Sequence, residues 1–100
     1  MVGVHMRLPK FLAVFGQKIR VEKADLEVGI GGLSHSKGLI QLSKQLKKDE
    51  ITQVLLHELV HSIFYRLSIY QSVSLDMEEM IAEAISKTIV ENFDLKSKKV

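Results

Sequence analysis

The chain has 100 residues, of which 46% are hydrophobic and 26% charged, and it contains no cysteine. A chain of this length predicts one small domain, residues 1–100. The lack of cysteine excludes disulfides, thiol catalysis and cysteine-based metal sites. The net charge of +2 is too small to indicate nucleic-acid binding. No apolar run is long enough for a membrane span, and the N-terminus lacks the features of a secretory signal, so we expect a cytoplasmic protein.

Residues 8–23 predict strands. The run Phe11–Phe15 is apolar, Gly16-Gln17 can form a turn or bulge, and Lys18–Glu22 alternates between apolar and polar side chains with period two. A short helical turn after Pro9 is the alternative for the first run, because periodicity does not distinguish helix from strand over so few residues.

Residues 24–38 are rich in glycine and serine and predict a loop, with at most a short strand at Leu26–Ile30. The next run, Leu39–Leu42, predicts another short strand. Its partner is either residues 18–23 or Leu26–Ile30. These segments together predict a small, mainly antiparallel sheet.

Two helices are predicted in the second half of the chain. The first begins near Glu50, with Asp49 as its N-cap. Residues 68–74 reverse the chain, and a second helix covers Leu75–Phe93 with Ser74 as its N-cap. Apolar residues at helical spacing predict the face of this helix that packs in the core: Met77, Met80, Ile81, Ala84, Ile85, Thr88 and Ile89.

The first helix contains an H-E-x-x-H motif, His57-Glu58-Leu59-Val60-His61. Residues four apart lie about one turn along the same helix face, so His57 and His61 can direct two imidazoles at one metal ion. Glu58 lies about 100° around the helix from His57. From there it can reach a metal-bound water as a general base without binding the metal itself.

A catalytic zinc site needs a third protein ligand, and the second helix offers three glutamates. Glu79 is preferred, because Glu83 follows it by four residues and can accept a hydrogen bond from a ligand imidazole. Glu78 has no such partner in its own helix, although it lies nearer the aliphatic stripe. Glu78, Glu83 and the loop residue His35 are the alternatives.

The segment LLHELVH, followed in the second helix by EMIAEAI, resembles the gluzincin type of zinc metallopeptidase. It is most similar to small H-E-x-x-H proteins of phage, prophage and archaeal origin, including the minigluzincins and the ImmA/IrrE-like peptidases. The likeness covers residues 38–90 and extends loosely over residues 8–37. It implies a zincin-like α+β fold, in which a small sheet packs on an active-site helix and an antiparallel return helix.

The resemblance also implies an activity: zinc held by His57, His61 and Glu79, and hydrolysis of a peptide or protein substrate. An oxyanion stabiliser is needed as well. Tyr65 is the candidate for it, with Tyr70 and His35 as alternatives. Leu26–Ile30 is the predicted sheet edge for substrate backbone. The alternative function is a non-catalytic, zinc-stabilised interaction module, which the small size favours and an intact Glu58 disfavours.

Overall fold

The computed structural model describes residues 8–67 and 72–95. They form a four-stranded mixed sheet and two helices, which is the predicted α+β class. In chain order the elements are β1 (Phe11–Val14), β2 (Gln17–Ala24), β3 (Gly32–His35), β4 (Leu39–Ser43), α1 (Lys48–Leu67) and α2 (Leu75–Asn92). The strand order is β1-β2-β4-β3.

Strand β4 pairs with β2, which is one of its two predicted partners. The described sheet differs from the prediction in one strand. Strands β1 and β2 are antiparallel, as are β3 and β4, but β2 and β4 run parallel with Arg20 opposite Leu39. The chain between them, residues 25–38, is long enough for the return that a parallel pair requires. The predicted strand Leu26–Ile30 is wrong: those residues form turn and loop, and the extra strand is β3.

Strand β3 escaped prediction because of the residues it turns towards α1. Gly32 and Ser34 share that side of the strand, since side chains alternate between the faces of a sheet. A Cβ on Gly32 would lie 2.9 Å from Cγ of Glu58. This close approach admits only a very small residue, so β3 lacks the apolar alternation by which strands are predicted.

A tight hairpin joins β1 to β2 at Phe15 and Gly16. Both residues have positive φ, 50° and 79°, as a two-residue type I′ turn requires. The turn lies one residue earlier than the predicted Gly16-Gln17. Because residues 11–14 pair in the sheet, the helical alternative for this run is wrong.

The hydrophobic core lies between the sheet and α1. Its buried members come from three strands and the helix, and partly buried aliphatic residues of α1 surround them. The buried core residues are Val14, Ile19, Val21, Ile40, Leu42 and Leu55. This face of the sheet fixes the position of α1, and α1 carries the H-E-x-x-H motif.

The helix ends follow capping chemistry. Helix α1 begins at Lys48, so Asp49 lies in its first turn and is not the predicted N-cap. The backbone N–H of Lys47 donates to Oε1 of Glu50 at 2.8 Å, which is one half of a capping box. Ser74 caps α2 as predicted, because its hydroxyl accepts the N–H of Met77 at 3.1 Å. Neither helix in the described ranges has an apolar stretch long enough to cross a bilayer.

Helix α2 packs on α1 through a different face from the predicted one. The buried residues of α2 are Glu78, Ala82 and Ser86, one turn apart. Met77 and Met80, from the apolar stripe, are 45% and 64% exposed. The prediction that this stripe forms the core is therefore wrong, and polar and small side chains form the contact between the two helices.

Candidate metal centre

The antiparallel pairing of α1 and α2 brings both motif histidines against one carboxylate. Nε2 of His57 lies 3.0 Å from Oε2 of Glu79, and Nε2 of His61 lies 2.9 Å from Oε1 of the same side chain. Ligand atoms of these three residues all lie within 4.8 Å of one another. The three residues could therefore hold one metal ion between the helices.

The other nitrogen of each ring meets a second carboxylate from α2. Nδ1 of His57 donates to Oε1 of Glu83 at 3.1 Å, and Nδ1 of His61 donates to Oε1 of Glu78 at 2.8 Å. Hydrogen bonds of this kind fix the orientation of a metal-binding imidazole and leave the opposite nitrogen free to bind. The sequence indicated Glu83 for this place and missed Glu78.

The chemistry of this donor set fits a cation. A neutral imidazole carries one N–H, and here Nδ1 of each ring uses it on Glu83 or Glu78. The Nε2 lone pairs of His57 and His61 then face the oxygens of Glu79 at about hydrogen-bond distance. Lone pairs in that arrangement repel each other unless a proton or a metal ion lies between them.

The local negative charge around the two imidazoles also favours a bound cation. Glu58, Glu78, Glu79 and Glu83 bring four carboxylates close to the two imidazoles. Like charges at such distances raise the free energy of the folded state. A divalent cation among them offsets part of that repulsion.

Glu58 lies on the side of α1 that faces β3. The residue is only 8% exposed, and Oε1 accepts a hydrogen bond from the Ser34 hydroxyl at 3.0 Å. Burial raises the pKa of the Glu58 carboxyl above its usual value, although the Ser34 bond and the nearby His61 and His57 work against the rise. A buried carboxylate with a raised pKa is suited to accept a proton.

Glu83 differs from Glu58 in its exposure and in its pKa. Partial burial disfavours its charge, but the bonds to His57 and Lys87 outweigh burial and lower the pKa of Glu83. Nζ of Lys87 lies 3.3 Å from Oε2, and Nε2 of Gln53 donates to Oε1 at 3.2 Å. Glu83 therefore stays ionised and able to accept from His57 at neutral pH.

An open cleft of about 490 Å³ lies beside these side chains. This volume is in the range of small-ligand pockets. The segment from Gly29 to Gly32 and the first half of α1 form its walls, with two glutamates of α2. Its lining residues are Gly29, Ile30, Gly31, Gly32, Gln53, Val54, His57, Glu58, Glu79 and Glu83.

The remaining candidates lie elsewhere. Tyr65 is partly buried one turn beyond His61 and is not among the described residues that line the cleft. His35 is on the face of the sheet turned away from α1, where Nε2 donates to Oε1 of Gln41 at 2.8 Å. It is therefore not brought to the metal ligands. Tyr70 falls outside the described residues.

Comparisons with protein-family models, curated proteins and solved structures found no match. Sequence reasoning missed Gly32 and Ser34, and it considered Glu78 only as an alternative zinc ligand. The position of Glu78 near the aliphatic stripe pointed to its burial, but its bond to His61 follows from how α2 packs on α1.

Proposed function

We propose that the protein is a zinc-dependent metallopeptidase, with His57, His61 and Glu79 as zinc ligands. The observation that carries this proposal is that these three donors lie together, and that two of them, His57 and Glu79, line one open cleft with the buried carboxylate of Glu58. Two imidazoles and one carboxylate, with a coordination position left for water, are a donor set of catalytic zinc sites. The H-E-x-x-H spacing gives Glu58 its place next to that water.

In the proposed mechanism Glu58 takes the proton of the water that attacks the peptide carbonyl, and it returns that proton to the leaving amine. Bound zinc supplies Lewis acidity, which lowers the pKa of the water and polarises the carbonyl. Glu78 and Glu83 keep the N–H of each imidazole on Nδ1. In the neutral tautomer this leaves both Nε2 lone pairs available for the metal and fixes their direction.

The substrate in this proposal is an extended peptide that lies along β3. Strand β3 is an edge of the sheet within the described residues, because it pairs with β4 alone. Such an edge has unpaired backbone groups that can bind a peptide as an added strand. It takes the place of Leu26–Ile30, the segment that the sequence indicated, and Ser34 brings it next to Glu58.

The proposal is tested by comparing the wild type with Glu58→Gln and Glu91→Gln. Each protein is loaded with zinc and incubated with a mixed peptide library, and the products are identified by mass spectrometry. We expect Glu58→Gln to bind one zinc per chain and to form no products, because a neutral amide does not take the water's proton. Glu91 is an exposed residue of α2, so Glu91→Gln should cleave as the wild type does. Identical products from the wild type and Glu58→Gln would contradict the proposal.

One observation favours the second candidate, a zinc-stabilised interaction module without catalysis. Helix α2 exposes Met80, Met77 and Ile85, which are 64%, 45% and 41% exposed. Exposed apolar faces of this kind occur at protein–protein contacts. A zinc-loaded wild type that cleaves no peptide in the library would favour this function.

A further inference from the structure

We propose that Ser34 is a positioning residue for the general base. From strand β3, its hydroxyl holds the carboxylate of Glu58 in place by a hydrogen bond. This inference rests on the proposed peptidase function. In the part of the chain that the structure describes, the Ser34 side chain makes its hydrogen bonds to Glu58, and Ser34 is not among the residues that line the cleft. It acts through Glu58 alone.

The geometry of Ser34 carries the proposal. Its hydroxyl lies 3.0 Å from Oε1 of Glu58 and 2.5 Å from the backbone carbonyl oxygen of the same residue. A hydroxyl has one proton to donate, and an ionised carboxylate oxygen is a stronger acceptor than a carbonyl. Ser34 therefore shares its proton between the two oxygens of Glu58, and the ionised carboxylate draws it towards Oε1. The proposal assigns the other oxygen, Oε2, to the proton of the water.

Gly32 completes the support from the same strand. A Cβ at this position would meet Cγ of Glu58 at 2.9 Å and Cγ1 of Val54 at 3.0 Å. The backbone of β3 thus lies directly against the aliphatic part of the Glu58 side chain. Gly32 limits where that side chain can move, and Ser34 holds its carboxylate at the end.

If the Ser34 hydroxyl only joined β3 to α1, its loss would lower the stability of the fold and leave the rate of the chemical step unchanged. If it orients the general base Glu58, its loss also lowers that rate. Misplacing a reacting group by about 1 Å costs roughly 100-fold in rate. Loss of the Ser34 bond lets the Glu58 carboxylate rotate without removing it. We therefore expect a decrease in kcat of roughly 10- to 100-fold, with little change in KM.

The experiment measures kcat, KM and zinc content for Ser34→Ala, Ser34→Thr and Ser36→Ala on a peptide that the wild type cleaves. Ser34→Ala should lose kcat and keep one zinc per chain. Ser34→Thr keeps the hydroxyl and should recover most of the rate. Ser36 is exposed in the β3–β4 turn, so Ser36→Ala is the matched control and should behave as the wild type. If Ser34→Ala does not fold, Ser34→Cys, which is close in size and a weak donor, should show the same loss of kcat.

If the wild type is active and Ser34→Ala has the same kcat, the positioning role of Ser34 is overturned and the peptidase proposal stays intact. A second measurement needs no activity. In metal-free protein, the changes in Tm for Ser34→Ala and Glu58→Ala should not add in the double variant, because each removes the same bond. Additive changes would overturn the proposal. An inactive wild type with non-additive changes would reject the peptidase and keep Ser34 as the support of Glu58.

Discussion

Helix α1 is buried on two sides, and the two sides have opposite chemistry. Towards the sheet it packs aliphatic side chains, and Leu55 belongs to the same buried core as Ile40 and Leu42. Towards α2 it meets Glu78 and other small or polar residues. Aliphatic burial contributes about 25 cal/mol per Å², whereas each hydrogen bond adds only about 1 kcal/mol net. The contact between α1 and the sheet therefore contributes most of the stability. The contact between α1 and α2 depends on whether the charges of its glutamates are balanced.

Removal of the metal should show this difference most strongly. We expect zinc-loaded protein to hold one zinc per chain and His61→Ala to hold none, since a ligand is lost. Hydrogen exchange measured with and without chelator should accelerate mainly in α2, because the proposed zinc ion would join α2 to α1. Protection in β2 and β4 should change little. Equal loss of protection in sheet and α2 would contradict the comparison.

A cavity on the sheet side should have the next largest effect. Leu42 is 1% exposed in the core, so Leu42→Ala should lower the free energy of unfolding by about 2 to 5 kcal/mol. Denaturant titration measures this loss. Zinc content per folded chain should stay at the wild-type level, because Leu42 lies outside the metal centre. Loss of zinc from the folded variant would show that the two sides of α1 are not independent.

Glu78 and Glu83, which accept the Nδ1–H groups of His61 and His57, should contribute differently to zinc affinity. Their side chains are 7% exposed for Glu78 and 46% for Glu83. Glu78→Gln should weaken zinc affinity by roughly 10- to 100-fold, and Glu83→Gln should weaken it less, since water can replace an exposed acceptor. From the sequence alone, which favoured Glu79 as the ligand and Glu83 as the acceptor, Glu78→Gln is predicted to have hardly any effect. Competition with a chelator of known affinity measures both constants, with Glu91→Gln as the control.

The smallest expected effect is the pH dependence of the metal-free protein. Burial raises the pKa of Glu58, so the folded protein binds this proton more tightly than the unfolded chain does. The stability from that proton is present below the ordinary glutamate pKa of about 4.3 and is lost as pH rises through the raised value. Glu58→Gln carries no charge and should gain in Tm relative to the wild type as pH rises from about 4 to neutrality. Thermal unfolding with chelator at several pH values measures the difference in Tm between Glu58→Gln and the wild type. A Tm difference that does not change with pH would contradict this prediction.

Prediction from the sequence succeeded where one residue type determines local structure. Ser74 was identified as the cap of α2 because a serine hydroxyl just before a helix can accept a free backbone N–H of the first turn. The face of α2 was wrong because periodicity identifies the apolar stripe and takes no account of the partner helix. The imidazoles of α1 need carboxylate acceptors when they are buried, so Glu78 is buried and Met80 is exposed. Such an arrangement between two helices cannot be inferred from spacing in one of them.

The glycine-rich wall of the cleft has a consequence for selectivity. From Gly29 to Gly32, Ile30 provides the one side chain larger than hydrogen, and the rest of the wall is main chain. Main-chain N–H and C=O groups are the same for every residue, so they recognise the conformation of a bound chain and are indifferent to its side chains. If the proposed peptide substrate lies along this wall, it would be selected for an extended conformation, and the cleft should accept many different sequences in that conformation.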